Sequence, residues 1–329
     1  MRKRSSEYGS LVIVAASKYY AEYRAACADY LSDIGWKIHV QDDFTDIASF
    51  DGLLVVGMAF YRWVPFIPGQ FRVGIQGEQM PLPDDNDWTL HRNRKRFDAM
   101  SRYYDLVIEW SPSNYCFTSC RSPYVYLPHG APKRSLKSPA DEWDVVFLGS
   151  PYGGRGRRIA LLAALEKEFH VCPIRESWGN EKYRLINSAR ICLNLHQFSS
   201  ACYESPRLFE LLSEGAFVLS ERIENSFPFV PGRDYVSFVG QNEMIDKVRY
   251  YLEHSDERRA IAESGNRTAL GYPQEKMFHL LSIELQRCSI LMQPLALRMI
   301  NWANGIWKTS IIEAIDLAAK IKRRLIKKS

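Results

Sequence analysis

The sequence predicts an α/β protein with two successive parallel-sheet domains, followed by C-terminal helices. Three observations predict it. Short apolar runs alternate with amphipathic stretches. The alternation breaks once, at the Pro- and Gly-rich LPHGAPKRSLKSPADEW, and then restarts. The chain has 329 residues, enough for two domains of ordinary size, each with its own core.

The first series opens with LVIVAA, a buried-strand run, and the amphipathic AEYRAACADYLSDIG. KIHVQ, GLLVVGMA and FRVGIQGE read as further strands. The helical HRNRKRFDAMSRYY separates them from DLVIEWS, and YVYLPHG closes the series. A β-α-β pattern of this kind implies a parallel sheet covered on both faces. The second series runs WDVVFLGS, helix RRIALLAALEKEF, HVCPI, helix KYRLINSA, ICLNLH, helix PRLFELLSEG, AFVLSE and the short YVSF. Helical stretches follow from NEMIDKVRYYLEH onward. These readings divide the chain at 1–138, 139–288 and a tail at 289–329. Ligands of parallel sheets bind outside the C-terminal strand ends, so a cleft between the two sheets is the default site.

Composition narrows the class. Hydrophobic residues make up 46% and charged residues 25%, the mix of a globular protein. The net charge of +5 is too small to argue for nucleic acid as the main partner. The seven cysteines form no CxxC pair. Cys116 and Cys120 lack the further ligands of a zinc set, so reduced thiols are expected. No run reaches the roughly 20 apolar residues of a membrane span. The expected location is the cytoplasm, with a peripheral position on the inner face of the membrane open to the basic tail.

The loop after VVFLG is the first candidate site. Gly149, Ser150, Gly153, Gly154 and Gly156 separate a strand from a helix, and Arg155, Arg157 and Arg158 stand at the helix start. Amides at a helix N-terminus favour anions, and arginine adds bidentate phosphate contacts. The spacing is not GxGxxG. Phosphate contact and a turn with solvated arginines both fit it. The second candidate is ESPRLFELLSEGAFVLSE. Arg207, Glu210 and Glu214 sit at helical offsets of three and four in a helix opened by Pro206 and closed by Gly215. On spacing alone, Glu210 pairs equally well with Arg207 on a solvated face.

The run Arg207-Leu208-Phe209-Glu210, an apolar helix and then Gly215-Ala216-Phe217 resembles the C-terminal domain of group 1 glycosyltransferases. The likeness is to the branch that includes spore-maturation-type proteins. FPFVPGRDYVSF and the helical KVRYYLEH and RRAIAESG follow in the same order. The resemblance spans about Asp144 to Phe278. It implies two Rossmann-like domains facing across a cleft, the GT-B arrangement, with a nucleotide-diphosphate-sugar donor on the C-terminal domain. It implies that Glu210 holds the donor ribose hydroxyls. Many relatives carry Glu-x7-Glu. The first glutamate falls at Cys202 here, and Glu204, two residues on, is the substitute candidate.

The resemblance makes Arg155, Arg158 and Arg207 the groups expected to stabilise the leaving diphosphate. No metal and no other cofactor is then required. Glu78, after strand FRVGIQ and Gly77, is the candidate general base for an acceptor hydroxyl, against the alternative of a surface-loop glutamate. His196, ending LNLH, is a donor-contact candidate. His129 in YLPHG reads more simply as a structural histidine. Arg233 and Asp234 follow a loop that nears the donor in relatives, though the turn at Pro231-Gly232 explains them equally. Asp85-Asn86-Asp87 is formally Asp-x-Asp but lacks a preceding strand, so metal binding is not expected there.

The acceptor is left open among saccharide, lipid-linked and protein classes. A sugar-nucleotide epimerase or hydrolase, and a non-catalytic nucleotide-sugar-binding partner, are the alternatives to a transferase. The tail carries apolar residues at helical intervals and ends in KIKRRLIKKS. A helix lying on an anionic membrane and a helix packed back on the protein both fit it.

Overall fold

The computed structural model describes residues 8–15, 18–82, 88–118, 120–133, 142–150, 156–172, 177–198, 200–201, 203 and 205–326. Arg155, Gly153, Gly154, Glu204, Cys202 and the Asp85–Asp87 run lie outside them.

The first sheet contains β1 (Ser10–Val14), β2 (Lys37–Gln41), β3 (Gly52–Val56), β4 (Phe71–Gln76), β5 (Leu106–Glu109) and β6 (Tyr124–Tyr126). Its order is β2-β1-β3-β4-β5-β6, parallel throughout. The strands β1, β3 and β4 are almost wholly buried, as expected for a sheet covered on both faces. Helices α1 (Ala21–Asp33), α2 (Trp88–Ser101) and α3 (Pro112–Phe117) connect them.

The second sheet contains β7 (Trp143–Val146), β8 (Ala189–Asn194), β9 (Val218–Glu221) and β10 (Val236–Phe238) in the order β10-β9-β8-β7. Its helices are α4 (Arg157–Leu165), α5 (Gly179–Asn187), α6 (Ser205–Ser213), α7 (Gly240–Glu253) and α8 (Ser255–Leu270). Of the segment HVCPI, read from sequence as a strand, the described residues His170, Val171 and Cys172 contribute the parallel bridge Val145↔Val171, and Pro173 and Ile174 lie outside the described residues. That bridge still has topological meaning. It sits on the β7 edge away from β8, as β2 sits on the edge of β1 away from β3. Strand order therefore reverses at β1/β3 in the first sheet and at β7/β8 in the second, where ligands of open α/β sheets bind.

Two helices complete the fold, α9 (Gln274–Ile290) and α10 (Leu295–Ile326). The chain crosses back beside its first crossing. Ala131 N–H donates to Tyr272 O at 2.8 Å, and Gln274 N–H to Ala131 O at 2.9 Å. Met277, Phe278, Leu281 and Leu285 of α9 then pack into the first sheet's core with Leu11, Leu54 and Ile75, although their positions fall within the span 139–288. Trp36 Nε1 donates to Ser282 Oγ at 3.0 Å across the same contact.

Helix α10 lies along α2. The Arg298 guanidinium grips Asp105 at 2.7 and 2.9 Å, and Trp302 Nε1 donates to Val64 O at 2.7 Å. At Gly305 an added Cβ would stand 2.8 Å from the Tyr103 ring, so the close approach of α10 requires glycine there.

Candidate functional site

The two reversal points open onto one cleft of about 900 Å³, the size of a ligand site. Tyr20 follows β1, Phe60 follows β3 and Glu78 follows β4 on one wall; Gly149 follows β7, Gln197 follows β8 and Arg207 starts α6 on the other. The cleft thus joins the C-terminal ends of both sheets.

On the second-sheet wall, α6 begins directly under the end of β8. Arg207 Nη1 donates to Leu195 O at 3.0 Å. Its guanidinium lies 5.7 Å from the Phe147 ring centroid. Gly149 has φ +148°, and an added Cβ would meet Arg207 Nη2 and Phe147 Cζ, each at 3.3 Å. Glycine therefore lets this turn pass close to the arginine.

Arg158 also lines the cleft, but the residue as a whole is only 3% exposed. It donates to Leu195 O at 2.7 Å, His196 O at 3.2 Å and Ser150 O at 3.1 Å. Those bonds tie the turns after β7 and β8 together. Arg157 pairs with Glu221 and donates to His196 O at 3.2 Å. Glu221 also accepts His196 N–H at 2.6 Å. The His196 side chain is fully buried, with Nδ1 2.6 Å from Ser200 O, so it stiffens the turn after β8.

Glu210 does not pair with Arg207. Its Oε1 lies 3.0 Å from Lys182 Nζ on α5. The same ammonium lies 3.3 Å from Glu22 Oε2 on α1. Glu22 also accepts Gly179 N–H at 2.9 Å and the Tyr183 hydroxyl at 3.1 Å. Lys182 thus bridges the two domains through the candidate ribose-binding carboxylate. Sequence reasoning missed Lys182 and Glu22, since nothing in their spacing relates either to residue 210. Glu214 is bonded instead by Asn187 Nδ2 at 2.9 Å.

On the first-sheet wall, Glu78 Oε1 accepts the Tyr20 hydroxyl at 3.0 Å. Its main-chain oxygen accepts Gln76 Nε2 at 3.0 Å and Asn114 Nδ2 at 2.8 Å. Asn114 also donates to Glu109 Oε1 at 3.2 Å. Glu109 is fully buried and accepts Ser111 N–H at 2.9 Å and the Tyr124 hydroxyl at 2.7 Å. Burial lifts its carboxyl to about 8, against those hydrogen bonds. Glu109 was legible only as a charged residue inside the apolar run DLVIEWS. It positions Asn114, and Asn114 positions the Glu78 turn.

His129 is buried between Tyr23 and Trp110, with ring centroids at 5.0 and 4.9 Å. Burial lowers its pKa to about 3, so it serves as a neutral packing group. Arg233 and Asp234 pair with each other at 2.7 Å. Asp234 also accepts the Ser264 and Thr268 hydroxyls, which fastens their loop to α8. Among the described residues no cluster of three or more His, Cys, Asp or Glu side chains could hold a metal ion.

Comparison with known proteins agrees with this architecture. No curated protein sequence matches the chain. A glycosyltransferase from Rickettsia africae superposes with a TM-score of 0.59 at 9% identity, over 87% of this chain and 100% of that one. Anabaena HepE in complex with UDP and glucose gives 0.57 at 12%, over 85% and 100%. Sucrose-phosphate synthase from Thermosynechococcus elongatus gives 0.57 at 10%, over 84% and 98%. Residues 134–274 match the family described as glycosyl transferase-like. The chain has the GT-B fold of these glycosyltransferases, with the family match on the half that carries Gly149, Arg207 and Glu210.

Proposed function

We propose that the protein is a metal-independent glycosyltransferase, hexosyltransferase-like, that moves a sugar from a nucleotide-diphosphate donor to an acceptor. One observation carries the reading. A single cleft joins the ends of both sheets, with Arg207 and the Gly149 turn on one wall and Glu78 on the other. The donor belongs on the second wall, within the span 139–288. Its ribose diol meets Glu210, a carboxylate able to accept two hydrogen bonds, and its pyrophosphate meets Arg207, Gly149 and Ser150. Gly153, Gly154 and Arg155 extend that surface in the reading, and Glu204 contacts the sugar.

As the glycosidic bond breaks, negative charge builds on the leaving diphosphate. A fixed guanidinium stabilises that charge and needs no reorganisation as the charge develops. Arg158 and His196 act behind it by fixing the carbonyl turns on which Arg207 rests. Glu78, within the acceptor span 1–138, takes the acceptor proton. Its bond from the Tyr20 hydroxyl orients the carboxylate. Within group 1 enzymes, the reading keeps the chain in the spore-maturation-protein-like branch.

The tail, 289–329, supports a peripheral membrane position. The inner face of α10 packs on α2, while Ile300, Trp307, Ile311 and Ile315 are exposed on its outer face. Their positions recur at helical spacing, so they form one stripe. The stripe runs toward the basic KIKRRLIKKS, a combination suited to an anionic interface. No helix among the described residues is long and apolar enough to cross a membrane.

A thermal-shift screen of the full chain against UDP-, GDP-, TDP- and CMP-sugars in excess EDTA tests the donor reading. A cognate donor at 100 times its dissociation constant adds about 2.7 kcal/mol. Response to none of them overturns the donor assignment. A response that needs manganese overturns the metal-free part. Consumption of donor without any acceptor would mark a hydrolase or epimerase, and binding without turnover a non-catalytic partner.

A further inference from the structure

The cleft carries more positive charge than a donor needs. Its second wall has Arg158, Lys182 and Arg207, all engaged as described. Its first wall adds Arg62, Arg92 and Arg96, whereas the acid described on that wall is Glu78, already bonded by Tyr20. The first wall therefore gathers three arginines, at the end where the acceptor belongs.

These arginines come from two elements. Arg92 and Arg96 are one helical turn apart on α2, on the face that also presents Asn93 and Phe97 to the cleft. Arg62 follows β3. Helix α10 contains two acids, Glu313 and Asp316, and both meet this group. Glu313 lies 3.1 Å from Arg62, a pair 72% and 36% exposed. Asp316 lies 3.6 Å from Arg92. Arg96 has no ion pair among the described residues. An exposed pair such as Arg62–Glu313 is worth under about 1 kcal/mol, so an incoming anion exchanges for Glu313 at little cost. Arginine's planar fork suits phosphate oxygens, and two or three in one wall suit a phosphate better than a lone carboxylate.

We propose that Arg96, with Arg62 and Arg92, binds a phosphate group carried by the acceptor, so that the acceptor is a phosphorylated saccharide or a phosphate-bearing lipid headgroup. The inference rests on the glycosyltransferase reading for the word acceptor. The anion site itself is defined by residues of the first wall, none of which belongs to the donor wall.

The test uses the full chain and soluble probes, so that tail–membrane contact plays no part. Glucose 6-phosphate is titrated against glucose, and dihexanoyl phosphatidic acid, below its micelle concentration, against dihexanoylglycerol. The expected result is that at least one phosphorylated probe binds tenfold or more tightly than its neutral twin. Preference for the sugar or for the lipid identifies the source of the phosphate. Arg96→Glu should then lose about tenfold in affinity, with Arg96→Lys intermediate. Binding of the nucleotide selected in the donor screen should stay within about twofold.

Equal binding of neutral and phosphorylated twins overturns the proposal. So does unchanged affinity in a folded Arg96→Glu and Arg62→Glu double variant. Loss of probe binding in Arg207→Ala but not Arg96→Glu also overturns it, because the anion would then sit on the donor wall. Failure of the donor screen alone removes the transferase reading and leaves these arms interpretable.

Discussion

Lys182 Nζ stands 3.0 Å from Glu210 Oε1 and 3.3 Å from Glu22 Oε2. One ammonium therefore serves a carboxylate from each domain. Removal of Glu210 leaves Lys182 paired to Glu22, so no buried charge is stranded. Glu210→Ala is expected to weaken donor binding by tenfold or more, about 1.4 kcal/mol, and to leave the melting temperature close to that of the parent. Titration calorimetry with the donor found in the screen measures it. Unchanged affinity in a folded variant excludes the ribose role.

Arg207 and Arg158 should separate cleanly. Arg207 donates to Leu195 O at 3.0 Å and lines the cleft. Arg207→Ala is expected to lower turnover on the order of 10²-fold with little loss of stability. Arg158 satisfies the carbonyls of Leu195, His196 and Ser150. Its removal unties Ser150 O from the turn after β8, while Leu195 O and His196 O keep the bonds from Arg207 and Arg157, so Arg158→Ala should act chiefly on stability. Paired urea denaturation and steady-state rates distinguish them. A stability loss in Arg207→Ala equal to that in Arg158→Ala would contradict the division.

Much of the fold was legible because short, β-branched apolar runs such as LVIVAA and GLLVVGMA, bounded by turn signals, read as strands buried on both faces. HVCPI reads the same way, and its described residues pair in parallel with β7 at Val171. The periodicity of α9 revealed a buried face but not which sheet would bury it, and it crosses to the first. Arg207 and Glu210 were legible through a local motif. Lys182 and Glu22 were not, since their relationship to the site arises from the docking of two domains.

Glu109 gives a pH signature. Its carboxyl titrates at about 8 in the folded protein, raised by burial, and near 4.3 in an unfolded chain. The folded state therefore holds the proton more tightly. The stability linked to this group is fully present below the unfolded value and is lost as pH rises through about 8. Glu109→Gln keeps the amide–hydroxyl contacts and removes the titration. Urea unfolding from pH 5 to 8 should show parental stability falling relative to the variant. A constant difference across that range would mean that Glu109 is already ionised when folded.

The tail makes the final prediction. Its two faces have separate duties. The inner face holds Arg298 against Asp105 and Trp302 against Val64 O. A chain cut near Ser310 would also lose Glu313 and Asp316, and with them the pairs to Arg62 and Arg92. Truncation therefore confounds membrane contact with the state of the cleft. Trp307 and Ile311 are better targets, being 69% and 42% exposed. Exposed substitutions of this kind shift stability by about 0.5 kcal/mol or less. The parent chain is expected to pellet with anionic vesicles at low salt. Lys320, Lys322, Arg323, Arg324, Lys327 and Lys328 each add about 1 kcal/mol near such a surface, and salt screens the attraction. Trp307→Glu with Ile311→Glu should leave the protein in the supernatant with its melting temperature unchanged. If the parent itself stays in the supernatant at low salt, the exposed stripe is not a membrane face.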